Sequence, residues 1–190
     1  MKELENFEEK LILKRAEEGE REAFAEIYDF YVVKIFRFIY LKTSSKETAE
    51  DLTSETFLKY WKYIKEKGEA EEEKIKNSKI SSFIYKIARN LIIDYYRKKN
   101  FATIEISEEE KETIIDRKQD ILAELTRKQE IEGLRKALGQ LKDDYQEILI
   151  LRYVEDLSIT EIAEITGKKK GAIRVQLYRA VKMLEKIMKD

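Results

Sequence analysis

Between Thr166 and Asp190 the chain places Lys168, Lys169, Lys170, Arg174, Arg179, Lys182, Lys186 and Lys189 against only two acids, Glu185 and Asp190. Three lysines at the start of a helix, with an arginine one turn on, suit duplex DNA. Ammonium groups meet phosphates as point charges, whereas a guanidinium fork can pair bidentately with a guanine edge in the major groove. Lys168, Lys169 and Lys170 are therefore the candidate phosphate contacts and Arg174 the candidate base reader, with Val175, Gln176, Tyr178 and Arg179 beside it. Lys182, Lys186 and Lys189 are equally well read as a solvated face.

A second constellation joins Lys86, Arg89, Asn90, Arg97 and Lys98 to the aromatic pair Tyr95 and Tyr96. Cations that follow phosphates, with flat side chains and amides that meet exposed bases, suit single-stranded nucleic acid. A third groups Asp51, Ser54, Glu55 and Lys62 around Leu58, polar residues about an apolar centre, a surface for a basic protein partner. Asp51 and Glu55 one turn apart could also bind a divalent ion, but no third acid completes a site.

The chain has no His and no Cys, which removes histidine-based catalysis, thiolate metal sites and disulfides. No Gly-rich phosphate loop is present, and no catalytic residue, metal or cofactor is implied. Overall charge is silent, because 38 Lys and Arg stand against 39 Asp and Glu in 190 residues. Only the distribution along the chain carries information.

Stepping these residues onto elements gives an all-α chain: Pro is absent, Gly numbers 6, and Lys, Glu, Ile and Leu abound. Phe24, Ile27, Tyr28, Tyr31, Ile35, Phe38 and Ile39 recur at three and four and predict a helix to about Leu41. Ser44 with Glu47 fits a capping box for a second helix, whose inward face is Leu52, Thr53, Thr56, Phe57, Tyr60, Trp61 and Ile64 and which stops at Gly68. After a loop over 69–79, Phe83, Ile84, Ile87, Ala88, Leu91 and Ile92 form a third helix ending in Arg97, Lys98 and Lys99.

Residues 101–125 are acidic and aperiodic and read as a linker between two small domains, 1–100 and 126–190. In the second domain Asp144 and Glu147 are expected to cap a helix over 148–154. Ser158 to Glu161 forms a capping box, Gly167 ends that short helix, and a basic helix follows with Ile173, Leu177, Ala180, Val181 and Leu184 inward and 169–181 as its recognition stretch. Two helices in tight succession, the second basic, are a helix-turn-helix.

Three motifs then stand in register: AEDLTSETFLKYW at 49–61, FIYKIARNLIIDYYRK at 83–98, and Glu161-Ile162-Ala163 through KGAIRVQLYRA at 170–180. Together they resemble the extracytoplasmic-function (ECF) group of the bacterial sigma-70 family. The departures are Phe83 for the usual Trp, Ser54 for Gln, Lys142 for Pro and Gln176 for Arg. The resemblance implies a sigma factor without catalytic activity of its own, which binds the RNA polymerase core through the clamp helices of the largest subunit and the flap region. It implies that the stripe Asp51, Ser54, Glu55, Leu58 and Lys62 docks on the clamp helices. Lys86, Arg89, Asn90, Tyr95, Arg97 and Lys98 then melt and capture the minus-ten element, and Lys168, Lys169, Lys170, Arg174, Val175, Gln176, Tyr178 and Arg179 read the minus-thirty-five element. The acidic linker is expected to thread polymerase channels, and an anti-sigma factor is a further candidate partner.

The alternatives are a stand-alone helix-turn-helix regulator, disfavoured by the docking and melting motifs in the other half, and an enzyme, disfavoured by the missing site residues. Residues 1–10 lack the basic start and apolar run of a signal peptide, and no stretch approaches about 18 apolar residues. A cytoplasmic protein without membrane insertion is the expectation.

Overall fold

The computed structural model describes residues 11–12, 15, 20–66, 80–102 and 136–189, and every regular element among them is helical. Helices α1 (Arg21–Thr43), α2 (Lys46–Glu66) and α3 (Ile80–Ala102) pack pairwise into an N-terminal lobe. The C-terminal lobe holds α4 (Asp143–Leu149), which runs on through a π turn (Ile150–Val154), then α5 (Ile159–Thr166) and α6 (Lys170–Ile187). Here α4 and α5 both lie against α6, while α3 lies against α5 and so joins the lobes.

The N-terminal core follows the helical period. Ile27, Tyr31, Ile35, Phe38 and Ile39 of α1 meet Phe57, Tyr60 and Ile64 of α2 and Ile84, Tyr85, Ala88, Leu91 and Ile92 of α3, all buried. Edge-on aromatic pairs fix the approach, with Phe24 4.5 Å from Trp61 and Phe38 5.5 Å from Tyr85 between ring centroids. Truncating the fully buried Phe38 to Ala costs about 3 to 5 kcal/mol by this logic. Trp61 is thus spent on packing.

Several boundaries differ from the sequence expectation for identifiable reasons. Ser44 does not cap α2: at φ 56 it is the left-handed residue that ends α1, its N–H bonded to Tyr40 O at 2.8 Å. The cap passes to Ser45, whose Oγ accepts the Thr48 N–H at 3.2 Å. Helix α1 accordingly runs to Thr43 rather than Leu41, and α3 continues past its basic run to Ala102. Asp144 and Glu147 do not cap the next helix, which starts at Asp143 behind Lys142 with no side-chain cap. Glu147 is instead 3% exposed, inside the interface between lobes. The expected Gly68 stop, the loop at 69–79, the start of the second domain near 126 and nearly all of the 101–125 linker lie outside the described residues.

The helix-turn-helix is built as its sequence specifies. Ser158 Oγ accepts the Glu161 N–H at 3.2 Å while Glu161 Oε2 accepts the Ser158 N–H at 2.9 Å. Gly167, at φ 71, ends α5 in the left-handed conformation. After two intervening residues α6 begins at Lys170.

Candidate functional site

On α2 the structure sets Asp51, Ser54, Glu55, Leu58 and Lys62 on the exposed side, opposite Phe57, Tyr60 and Ile64. Leu58 is 53% exposed among these polar neighbours. Glu55 reaches Lys59 at 3.1 Å in an exposed ion pair that holds it only weakly, and Ser54 Oγ donates to Glu50 O at 3.0 Å.

On α3 the expected residues do not share one face. At about 100° per residue, Lys86, Asn90 and Arg97 fall within about 40° of one another, whereas Tyr95 falls about 180° from Lys86. Lys86, Asn90, Arg97 and Lys98 are exposed, while Tyr95 and Tyr96 are half-buried with ring centroids 5.3 Å apart. The Tyr96 hydroxyl donates to Lys42 O at 2.6 Å, and burial, then Tyr95, pushes its pKa up. Tyr85 belongs to the core. Its hydroxyl donates to Glu155 Oε2 at 2.7 Å, and burial first, then Glu155, pushes its pKa well above the usual range.

Arg89 occupies a different setting from its neighbours. Its Nε donates to Glu147 Oε1 at 2.9 Å, and the two side chains are 20% and 4% exposed. The other oxygen of Glu147 is buried with no hydrogen-bond partner among the described residues.

On α6 the inward positions Ile173, Leu177 and Ala180 leave Lys169, Lys170, Arg174, Val175, Tyr178 and Arg179 exposed. Gln176 lies on the flank nearer the core and is half-buried, its carboxamide oxygen fully so, which sets it apart from the outward group. Lys168 is also set apart, half-buried against Asp144 at 2.9 Å. The outward face therefore starts at Lys169.

Sequence reasoning missed the charged contacts between lobes. Arg37 of α1 holds Glu155 with two nitrogens, each at 2.8 Å, and this hydrogen bonding raises the Arg37 pKa against the opposing effect of burial. Lys42 pairs with Asp143, and the Lys42 amine also donates to Gln146 Oε1 at 3.2 Å. Ser81 Oγ donates to Glu161 Oε1 at 2.8 Å. The available signal was a lone charge set in an apolar run, as with Arg37 in IFRFI and Glu155 after ILILRYV.

A helical chain with an outward basic helix in a helix-turn-helix falls in the class of DNA-binding proteins. Residues 27–101 match the family described as Sigma-70 region 2, and residues 131–184 the family described as Sigma-70, region 4. The chain is 33% identical over 183 residues to the ECF RNA polymerase sigma factor BldN of Streptomyces coelicolor, covering 94% of this chain and 65% of that protein. It is 32% identical over 172 residues to the RNA polymerase sigma factor YlaC of Bacillus subtilis, covering 88% and 93% of the two chains. Among solved structures, CnrH in complex with the cytosolic domain of CnrY superposes with a TM-score of 0.69 at 17% identity, covering 95% of this chain and 97% of that one. RpoE in complex with the anti-sigma factor NepR, from Bartonella quintana, gives 0.66 at 21%, covering 87% and 96%, and both likenesses are of fold. The chain belongs to the sigma-70 family, in its ECF group. It is an RNA polymerase sigma factor, which binds the core enzyme and directs promoter recognition and transcription initiation.

Proposed function

We propose that the two lobes divide this work by residue. The segment 1–100 docks on the clamp helices of the largest polymerase subunit through Asp51, Ser54, Glu55, Leu58 and Lys62, and it holds the melted minus-ten strand with Lys86, Arg89, Asn90, Tyr95, Arg97 and Lys98. Residues 126–190 read the minus-thirty-five element as duplex, and 101–125 tether the two. The observation that carries this reading is the outward face of α6, where Lys169, Lys170, Arg174, Tyr178 and Arg179 are all exposed directly after the Gly167 turn.

Lys169 and Lys170 contact phosphates, and Arg174 takes a base edge with Val175 beside it. Lys168 and Gln176 contribute less, because one is engaged by Asp144 and the other faces the core. Melting is driven by binding energy, and the protein catalyses no reaction of its own. Among the described residues no helix is long and apolar enough to cross a membrane, and a cytoplasmic site of action fits a factor that works on polymerase. CnrH and RpoE are held by partner proteins in their structures, and an anti-sigma factor is a fitting partner for this chain too.

Run-off transcription with purified core polymerase on a genomic promoter library tests the reading. Discrete promoter-dependent transcripts are expected, and their loss with Arg174→Ala on a preferred site but retention on a library of relaxed sites supports the division of roles. No transcript above core enzyme alone rejects it.

A further inference from the structure

The exposed side chains of α3 among its described residues are Lys86, Asn90, Ile93, Arg97, Lys98 and Lys99. None is acidic and one is apolar. Ile93 is 45% exposed, although Leu91 and Ile92 beside it are buried. At about 100° and about 1.5 Å per residue it falls about 20° from Lys86 and about 40° from Arg97, so Lys86, Asn90, Ile93 and Arg97 follow one line about 16 Å long.

A lone exposed isoleucine ordinarily needs no explanation. This one stands one turn after an amide and one turn before a guanidinium, in the mixture of apolar, amide and cationic groups that suits unpaired DNA. The aromatic pair of α3 leaves that place open: Tyr95 and Tyr96 are half-buried, Tyr95 lies about 180° from Lys86, and the Tyr96 hydroxyl is bonded to Lys42 O at 2.6 Å. Arg97 reaches Asp94 at 3.0 Å, a surface pair that gives way readily to a phosphate.

We infer that Ile93 is a promoter contact, packing against an unpaired base of the melted strand while Lys86 and Arg97 hold phosphates to either side. The inference rests on the reading that the exposed side of α3 meets that strand. An aliphatic side chain has no donor or acceptor with which to tell one base edge from another. It offers a surface to a base that has left its stack, as isoleucine does where proteins wedge open a base step. In duplex DNA that base face is covered by its neighbours, so the contact exists only in the open form and draws the equilibrium toward it. Ile93 therefore holds the strand open, whereas Asn90 has the amide with which to read an edge.

The test uses the full chain assembled with core polymerase, on a promoter recovered by run-off transcription. Ile93→Gln keeps a side chain of similar length and removes its apolar character. Affinity for a pre-melted form of that promoter is expected to fall about fivefold, the low end for a base contact, with closed-complex affinity on the duplex and helical circular dichroism unchanged. Ile93→Leu should restore the wild-type value. The salt slope of Ile93→Gln should equal that of the wild type, since an apolar group releases no counterion, whereas Lys86→Ala should lower it by about 0.7. Abasic sites placed singly along the melted strand should include one at which wild type and Ile93→Gln bind alike. Wild-type affinity in Ile93→Gln, alongside losses in Lys86→Ala and Arg97→Ala, overturns the inference and leaves the reading of α3 standing, while losses in none of the three overturn the reading itself. A closed-complex loss as large as the pre-melted one, or a difference from wild type that persists at every abasic position, also overturns the base contact.

Discussion

Ser81 donates its hydroxyl to Glu161 across 2.8 Å, so the acid that closes the capping box of α5 also receives the other lobe. One oxygen serves the helix-turn-helix and the other serves the docking of α3. Stability of the DNA-reading unit and contact between lobes are therefore coupled through one carboxylate.

That coupling separates three variants. Ser158→Ala should cost about 1 kcal/mol through loss of the cap alone. Ser81→Ala should cost roughly 1.5 to 3 kcal/mol, the range for a bond to a charged group, while the cap survives. Glu161→Ala loses the bond to Ser81 and the half of the capping box that the Glu161 carboxylate supplies, while Ser158 Oγ still accepts the N–H of residue 161, so its cost should exceed that of Ser81→Ala. Urea denaturation followed by circular dichroism checks the order, and a Glu161→Ala cost no larger than that of Ser81→Ala would show that the Glu161 half of the box contributes nothing.

Core docking should respond to α2 independently of folding. Asp51→Lys with Glu55→Lys, or Leu58→Asp, changes exposed side chains, where the folding cost is typically within about 0.5 kcal/mol. Association with core polymerase should weaken clearly. Co-purification with core enzyme at wild-type yield removes this stripe from the interface.

For the upstream element, the two kinds of contact on α6 should fail differently. Lys170→Ala should weaken binding to all upstream sequences alike and reduce the salt slope by about one unit, whereas Arg174→Ala should cost about 1 to 3 kcal/mol on the preferred site and relax one position. Binding-site selection with each variant distinguishes them. Retention of the full wild-type preference by Arg174→Ala shifts the reading to Val175.

Tyr85 makes stability sensitive to alkali. Burial and Glu155 hold its folded pKa above the unfolded value of about 10, so the neutral hydroxyl stabilises the fold fully below that pH and the contribution is lost as pH rises beyond it. Between about pH 9 and 11 the urea midpoint should drop for the wild type and less steeply for Tyr85→Phe. Parallel curves for the two proteins would remove Tyr85 as the source.

At the junction of α1 and α2, Ser44→Gly should stabilise. A side chain at φ 56 carries a left-handed penalty of about 1 to 2 kcal/mol, partly offset by the greater freedom of glycine in the unfolded chain. A net rise of about 0.5 kcal/mol in urea unfolding is expected, and a fall would place a needed contact on the Ser44 side chain.

Helix existence and inward faces were legible because apolar spacing records them directly: Ile27, Tyr31, Ile35 and Phe38 could be read as one stripe before any coordinates. The capping box at Ser158 was legible for the same local reason. The Ser44 cap misled because two adjacent serines offer the same side chain, and only the backbone conformation decides which one ends α1. The outward residues of α6 followed from period alone, but the isolation of Gln176 and Lys168 depended on neighbours in three dimensions. Glu147 was read as a capping acid because local sequence cannot announce Arg89, 58 residues away.

The π turn at Ile150–Val154 decides which way Glu155 faces. Its signature is the Glu155 N–H bonded to Ile150 O at 3.0 Å, five residues back. Eight residues of regular α-helix would turn Glu155 about 80° away from Glu147, but a π turn absorbs one residue and leaves seven, which brings the two within about 20°. One residue of slack thus phases two acids toward a single neighbour. Deleting one residue within 150–154 would turn the π turn into ordinary α-helix and keep this phase, whereas adding one would rotate Glu155 by about 100°, off Arg37 and Tyr85. Phase at this spot, more than residue identity, sets whether the two lobes recognise each other.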